Sequence, residues 1–119
     1  MVQLQSSSLD ASFAALSDAT RRGVLAQLGR SDASITTLAD RFHMTLTGMK
    51  KHVQVLERAG LVTTEKVGRV RTCRLGERGL GAEAEWIDAQ RKLFERRFAA
   101  LDGIIEELKQ EEANGPAGR

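Results

Sequence analysis

Thr45-Leu46-Thr47-Gly48-Met49-Lys50-Lys51-His52-Val53-Gln54-Val55-Leu56-Glu57-Arg58-Ala59-Gly60-Leu61-Val62 is the stretch from which the rest of this 119-residue chain is best read. Thr45 is a capping residue at its entrance and Gly60 a left-handed stop at its exit. Leu46, Met49, Val53 and Leu56 recur at helical spacing, so the pattern predicts an amphipathic helix over residues 45–59 with a buried apolar face and a polar, basic outer face. Two β-like runs follow, Val62–Val67 and Val70–Leu75, joined at Gly68-Arg69. Gly68 tolerates the positive backbone angle that a tight turn needs. Lys66, Arg69 and Arg71 project near the tip of this hairpin.

Upstream, residues 1–8 read as a stretch without fixed structure. Leu9, Phe13 and Leu16 then mark a helix over residues 9–16. Ser17-Asp18-Ala19-Thr20 is a break with capping residues, and residues 21–28 form a second helix with Val24, Leu25 and Leu28 on one face, ended by Gly29. After the polar link Arg30-Ser31-Asp32-Ala33-Ser34, Thr36 reads as the N-cap of a short helix over residues 37–42 with Leu38, Ala39 and Phe42 inward. His43-Met44 is the tight connection to the quoted stretch. Downstream, Gly76, Gly79 and Gly81 punctuate a connector. A long helix follows over residues 82–112, roughly 45 Å at about 1.5 Å per residue. Leu80, just before it, and Ile87, Phe94, Leu101 and Leu108 within it recur every seventh residue, with Phe98 and Ile105 in the companion row. So long a helix outreaches so small a domain, so its stripe, together with Leu9 and Phe13, is read as the interface of a homodimer, with packing inside one chain as the alternative. Residues 113–119 read as a flexible tail.

Composition narrows the field. Hydrophobic residues make up 41% and aromatics only 4%, so a single small core must be built mainly from aliphatic side chains. The single cysteine excludes an internal disulfide, and no apolar run is long enough to span a membrane, which together suit a cytoplasmic protein. The net charge is only +2, yet residues 41–74 hold eight basic side chains against two acidic ones, and residues 75–119 hold seven against ten. Positive charge concentrated on one helix and the hairpin after it is the footprint of phosphate binding, and the order of elements is that of a winged helix-turn-helix. The fold class is therefore mainly α with a two-stranded β-wing and a long C-terminal helix. Residues 9–81 form the DNA-binding domain and residues 82–112 the dimerisation helix.

Double-stranded DNA is the expected partner. A recognition helix presents its N-terminal half to base edges in the major groove, which here means Thr45, Thr47, Gly48, Lys50 and Lys51, with Gln54 one turn on. Either lysine can read guanine or simply hold a phosphate; Gln54 can pair with adenine. Gly48 costs about 1 kcal/mol relative to alanine inside a helix. Close approach of the backbone to DNA would justify it, and neutral drift on an exposed face would also account for it. Lys66, Arg69 and Arg71 would add phosphate contacts, with Arg69 placed to enter the minor groove.

Three motifs in order carry a family resemblance: Ser17-Asp18-Ala19-Thr20-Arg21-Arg22 with Val24-Leu25, then Thr37-Leu38-Ala39, then the run from Lys51 to Val62. Over about residues 9–76 the chain resembles the ArsR-type winged-helix repressors of bacteria. The resemblance implies a homodimer, a recognition helix in the major groove, a wing over the neighbouring backbone, and repression of a nearby operon. It further implies that Arg21 or Arg22 meets the DNA backbone, a salt bridge to Asp18 or Glu57 being the alternative. His52 stands at the family's histidine position, either touching a phosphate or packing between reading helix and wing. Lys50 and Met49 depart from the family's usual residues there.

Members of that family often sense metals, and the sequence lacks the ligands. Residues 37–42 carry no paired cysteines and the last helix carries no histidine. Cys73, His43 and His52 are scattered over separate elements, so neither a metal site nor a cofactor is expected. Cys73 reads as a half-buried structural thiol, with a redox switch as the alternative. The release signal is then a small molecule, a partner protein, or nothing at all. No nucleophile–base pair or phosphate-binding glycine loop is visible, so no enzyme activity is expected. The competing function is a winged-helix module for protein contact, whose basic face would meet an acidic partner.

Overall fold

A computed structural model describes the backbone of residues 2–114 and the side chains of residues 8–114. The order is α1 (Val2–Leu16), α2 (Ala19–Leu28), β1 (Ala33–Ser34), α3 (Ile35–Arg41), α4 (Leu46–Arg58), β2 (Val62–Val67), β3 (Val70–Leu75) and α5 (Gly81–Asn114). The chain divides into a unit ending at Glu83 and a second, beginning at Ala84, that consists of the rest of α5.

The first unit closes around α4. Met49, Val53 and Leu56 are buried together with Val24 and Leu28 of α2, Ile35, Leu38 and Ala39 of α3, Ala15 of α1, and Leu61, Val62 and Cys73 from the hairpin and its approach. Leu46 is the exception to the expected inward face. It is the first residue of α4, a turn beyond Met49, and lies 44% exposed because the helix begins past the edge of the core. Thr45 caps α4, its hydroxyl accepting from the Gly48 N–H at 3.0 Å. Gly60 follows the C-cap with φ +77°, the expected left-handed stop.

The helix before it starts earlier than the sequence suggests. Ser34, not Thr36, is the N-cap of α3. Ser34 is extended, its hydroxyl accepts from Thr37 N–H at 3.0 Å, and its backbone pairs opposite Thr72. That pairing makes Ala33–Ser34 a short third strand, giving an antiparallel sheet in the order β1-β3-β2. The hairpin register pairs Val62 with Leu75 and Val67 with Val70, and Gly68 takes φ +64° at its tip. His43 takes φ +55° in the turn between α3 and α4.

Residues 2–8, expected to lack fixed structure, instead belong to α1. Nothing in Val2 to Ser8 breaks a helix, so a helix nucleated on Leu9 to Leu16 propagates backwards. Of the expected tail, residues 113 and 114 end α5 and the remainder lies outside the described residues.

In the second unit, Ile87, Leu93, Phe94, Phe98, Leu101, Ile104, Ile105 and Leu108 are all exposed. Some of its charges pair along the helix. Arg91 bonds Asp88 and Glu95 at 2.7 and 2.6 Å, and Lys92 lies 3.2 Å from Asp88.

Candidate nucleic-acid interface

The outer side of α4 carries Thr45, Thr47, Lys50, Lys51 and Gln54, all exposed, with Gly48 partly covered. The wing adds exposed Lys66, Arg69 and Arg71. Among the described residues, Lys50, Lys51, Lys66 and Arg69 have no carboxylate within ion-pair distance. Cations left unneutralised on a chain with nearly as many acids as bases form a surface of positive potential that attracts phosphate.

Helix and wing share a groove of about 370 Å³ lined by Ile35, Lys50, Val53, Gln54, Glu57, Thr64 and Arg71. Its geometry follows from strand alternation. Thr64 and Cys73 are opposite one another, and the next pair along the same row is Lys66 with Arg71. Arg71 Nη1 donates to Thr64 Oγ1 at 3.0 Å, and that hydroxyl donates to Glu57 Oε2 at 2.9 Å. The chain of bonds ties the wing to α4, so Arg71 braces the groove as well as contributing charge. Arg74 instead bridges Glu65 at 3.2 Å and Asp32 at 3.8 Å.

A β-carbon at Gly48 would come within 3.1 Å of Thr45 Oγ1, a tight contact that a shift of a few tenths of an ångström relieves. The equivalent positions Arg21 and Thr37 carry a β-carbon under their own caps.

Arg21, Arg22 and His52 form a separate cluster. Arg21 donates through Nε to the Ala15 carbonyl at 2.8 Å, through Nη2 to Ala14 at 3.1 Å, and lies 3.1 Å through Nη1 from His52 Nδ1. Arg22 Nη1 donates to the Leu16 carbonyl at 2.7 Å. These are the orphan carbonyls of the last turn of α1, so both arginines cap that helix. Asp18 caps α2 in turn, its carboxylate accepting from Arg21 N–H at 3.0 Å. That hydrogen bond holds the Asp18 carboxyl below the usual carboxylate range. His52 lies between α4 and the start of α2, 3.8 Å from Asp18, and not between α4 and the wing as the sequence suggests. The reason is spacing along α4. Gln54 and Glu57 line the wing groove, and His52 falls outside it.

Cys73 is fully buried, and burial pushes its thiol up to about 11, away from the thiolate needed for redox chemistry. Among the described residues no cluster of His, Cys, Asp and Glu side chains could hold a metal ion. No helix of the described residues is long and apolar enough to cross a membrane.

A buried helix-turn-helix, an exposed N-terminal half of its second helix and a cationic hairpin beside it define a winged helix-turn-helix protein. Comparison with known proteins agrees. A family described as helix-turn-helix domain matches residues 16–65. The HTH-type transcriptional regulator YuzN of Bacillus subtilis (strain 168) is 39% identical over 69 residues, covering 52% of this chain and 75% of that protein. The solved structure of an ArsR-like transcriptional regulator from Rhodococcus sp. RHA1 is 37% identical with a TM-score of 0.73, covering 85% of this chain and 93% of its own. A crystal structure of another ArsR family transcriptional regulator is 40% identical with a TM-score of 0.70, covering 75% and 92%. The chain belongs to the ArsR family of winged-helix transcriptional regulators.

Proposed function

We propose that this protein is a homodimeric, sequence-specific DNA-binding repressor whose release does not depend on a metal. The observation that carries the reading is the set of exposed cations without carboxylate partners, Lys50 and Lys51 on α4 with Lys66 and Arg69 on the wing, Lys50 lining the groove that helix and hairpin share. In this reading α4 enters the major groove. Thr45, Thr47, Lys50, Lys51 and Gln54 meet bases and phosphates, and the α4 backbone at Gly48 approaches the duplex closely. Lys66, Arg69 and Arg71 hold the neighbouring backbone. Of the two arginines on α2, Arg22 is the better phosphate ligand, because Arg21 spends all its guanidinium nitrogens on α1 and His52. His52 then orients the flank of α4, reaching at most a single phosphate.

Residues 9–81 act as the DNA-binding domain and residues 82–112 as the dimerisation helix. Leu80, Ile87, Phe94, Phe98, Leu101, Ile105 and Leu108, with Leu9 and Phe13 of α1, form the interface with a second copy. The exposure of the α5 residues supports this, since so many uncovered large side chains on one helix need a partner surface. Without paired cysteines in α3 or histidines in α5, release falls to a small molecule or a partner protein, or there is no release signal at all.

The test is selection of duplexes from a random-sequence pool, followed by binding at two salt concentrations and sedimentation of the free protein. A dimer that enriches a two-fold symmetric site and loses affinity steeply with salt is the expected result. Equal binding to every duplex would overturn the reading and leave a protein-contact module in its place.

A further inference from the structure

Arg78 lies in the connector between β3 and α5, a segment that the DNA-reading surface leaves unused. Its Nη2 donates to the Ala59 carbonyl, the C-cap of α4, at 2.9 Å, with Nε at 3.3 Å from the same oxygen. The same Nη2 donates to Ser12 Oγ of α1 at 2.8 Å. Nη1 and Nη2 grip both carboxylate oxygens of Glu83, in the first turn of α5, at 3.2 and 3.0 Å. Ser12 is fully buried and Glu83 is 3% exposed.

The backbone is shaped around this guanidinium. A β-carbon at Gly60 would come within 2.9 Å of Arg78 Nε, and one at Gly76 would collide with the Gly60 carbonyl. Gly76 N–H donates to the Leu61 carbonyl at 2.9 Å, holding the connector against the end of α4. Of the glycines that punctuate the connector, Gly76 therefore serves close packing.

Glu83 is buried while Arg78 keeps 35% of its side chain exposed, so desolvation of the carboxylate and screening of the guanidinium both limit the net stability this ion pair adds. What a planar guanidinium adds is direction, since its donors form a rigid fork. Here the fork joins the end of the reading helix to α1 and to the start of α5, the two elements assigned to the dimer.

We propose that Arg78 is a positioning residue for DNA reading, clamping the C-terminal end of α4 to α1 and the first turn of α5 so that the two reading helices of a dimer meet DNA at one fixed half-site spacing. Glu83 orients Arg78 for this task. The inference rests on the dimeric DNA-reading function proposed above. Loss of the clamp leaves Lys50, Lys51 and the wing chemically intact but loosens the hold of the C-terminal end of α4 on α1 and on the first turn of α5.

The experiment uses full-length protein and the duplex that the wild type selects from a random pool. Variants of that duplex have the half-sites moved by two base pairs, and another carries a single half-site. Arg78→Lys keeps the charge but loses the fork, and Glu83→Gln keeps the shape but loses the charge. Both are measured below their own melting temperatures with the dimer checked by sedimentation. The wild type should prefer the selected spacing by about 10-fold or more, and either variant should reduce that preference to about 3-fold or less while single half-site affinity stays within about 2-fold. Unchanged spacing preference in both variants would overturn the proposal, as would equal losses on the full site and the single half-site, which mark simple weakening of the fold. If the wild type enriches no duplex, it is the DNA-reading function that fails.

Discussion

The two units of this chain treat the same residue types in opposite ways. In the first, Leu38, Met49 and Leu56 are fully buried, while Lys50, Lys51, Lys66 and Arg69 stand without acidic partners. In α5 beyond Glu83, Phe94, Phe98 and Ile105 are exposed, while Arg91 and Lys92 are neutralised by Asp88 and Glu95. The helix and wing of the first unit thus present basic side chains without carboxylate partners, and α5 presents the longest run of uncovered large apolar side chains. Unpaired cations call for a polyanion, and exposed aromatic and aliphatic rows call for another apolar surface. This contrast is the ground for the two partners proposed above.

The most forceful way to break that assignment is on α5. Phe94→Glu with Leu101→Glu should give monomers in sedimentation and lower affinity for a two-half-site duplex by about 100-fold or more, because the second half-site is no longer held in place. A dimer that survives both charges would move the interface elsewhere. The counterpart in the first unit is Leu56→Ala, which removes a fully buried side chain from the centre of the core. It should cost about 2–5 kcal/mol in denaturant unfolding. Phe94→Ala, on an exposed position, should change the stability of the first unit far less.

How legible this was in the sequence depended on which forces set each feature. The reading helix and the hairpin followed from local rules, since Thr45, Gly60 and Gly68 do what capping, left-handed and turn residues do in isolation. Leu46 misled because periodicity specifies a face but not how far the core extends along it. Ser34 was hidden because its role joins a cap to a strand pairing with Thr72, a partner 38 positions away. The same limit applies to the candidate site. The exposed cations were readable from charge clustering alone. The commitments of Arg21 to the end of α1 and of Arg78 to Ala59 and Glu83 were not, because they depend on which carbonyls the fold brings near. The glycines flanking Arg78 were the available signal, and they read only as a connector.

Smaller effects sharpen the electrostatic half of the contrast. Lys51→Ala and Arg69→Ala should each weaken binding to the selected duplex and reduce the slope of log affinity against log salt by about one per lost phosphate contact, with the dimer intact. Arg91→Gln, which removes one positive charge from α5, should leave the slope unchanged, because that guanidinium is already engaged by Asp88 and Glu95 and is not a phosphate ligand. Equal slopes for wild type, Lys51→Ala and Arg69→Ala would remove α4 and the wing from the DNA-facing surface.

The smallest effect concerns Glu83 at the start of α5, the one buried carboxylate among the described residues. Hydrogen bonds from Arg78 hold its carboxyl down to about 2, against 4.5 for an unperturbed glutamate. A carboxyl with a lowered folded-state value is bound to a proton in the unfolded chain before it is in the folded one. Its stabilising contribution is therefore complete above about pH 4.5 and is lost as pH falls towards about 2. Other carboxylates titrate in the same window, so the informative quantity is the difference in melting temperature between wild type and Glu83→Gln. That difference should favour wild type at pH 6 and close steadily below about pH 4.5. A difference that stays constant down to pH 2 would mean that the charge on Glu83 contributes nothing, and that Arg78 is held at Ala59 and Ser12 by those hydrogen bonds alone.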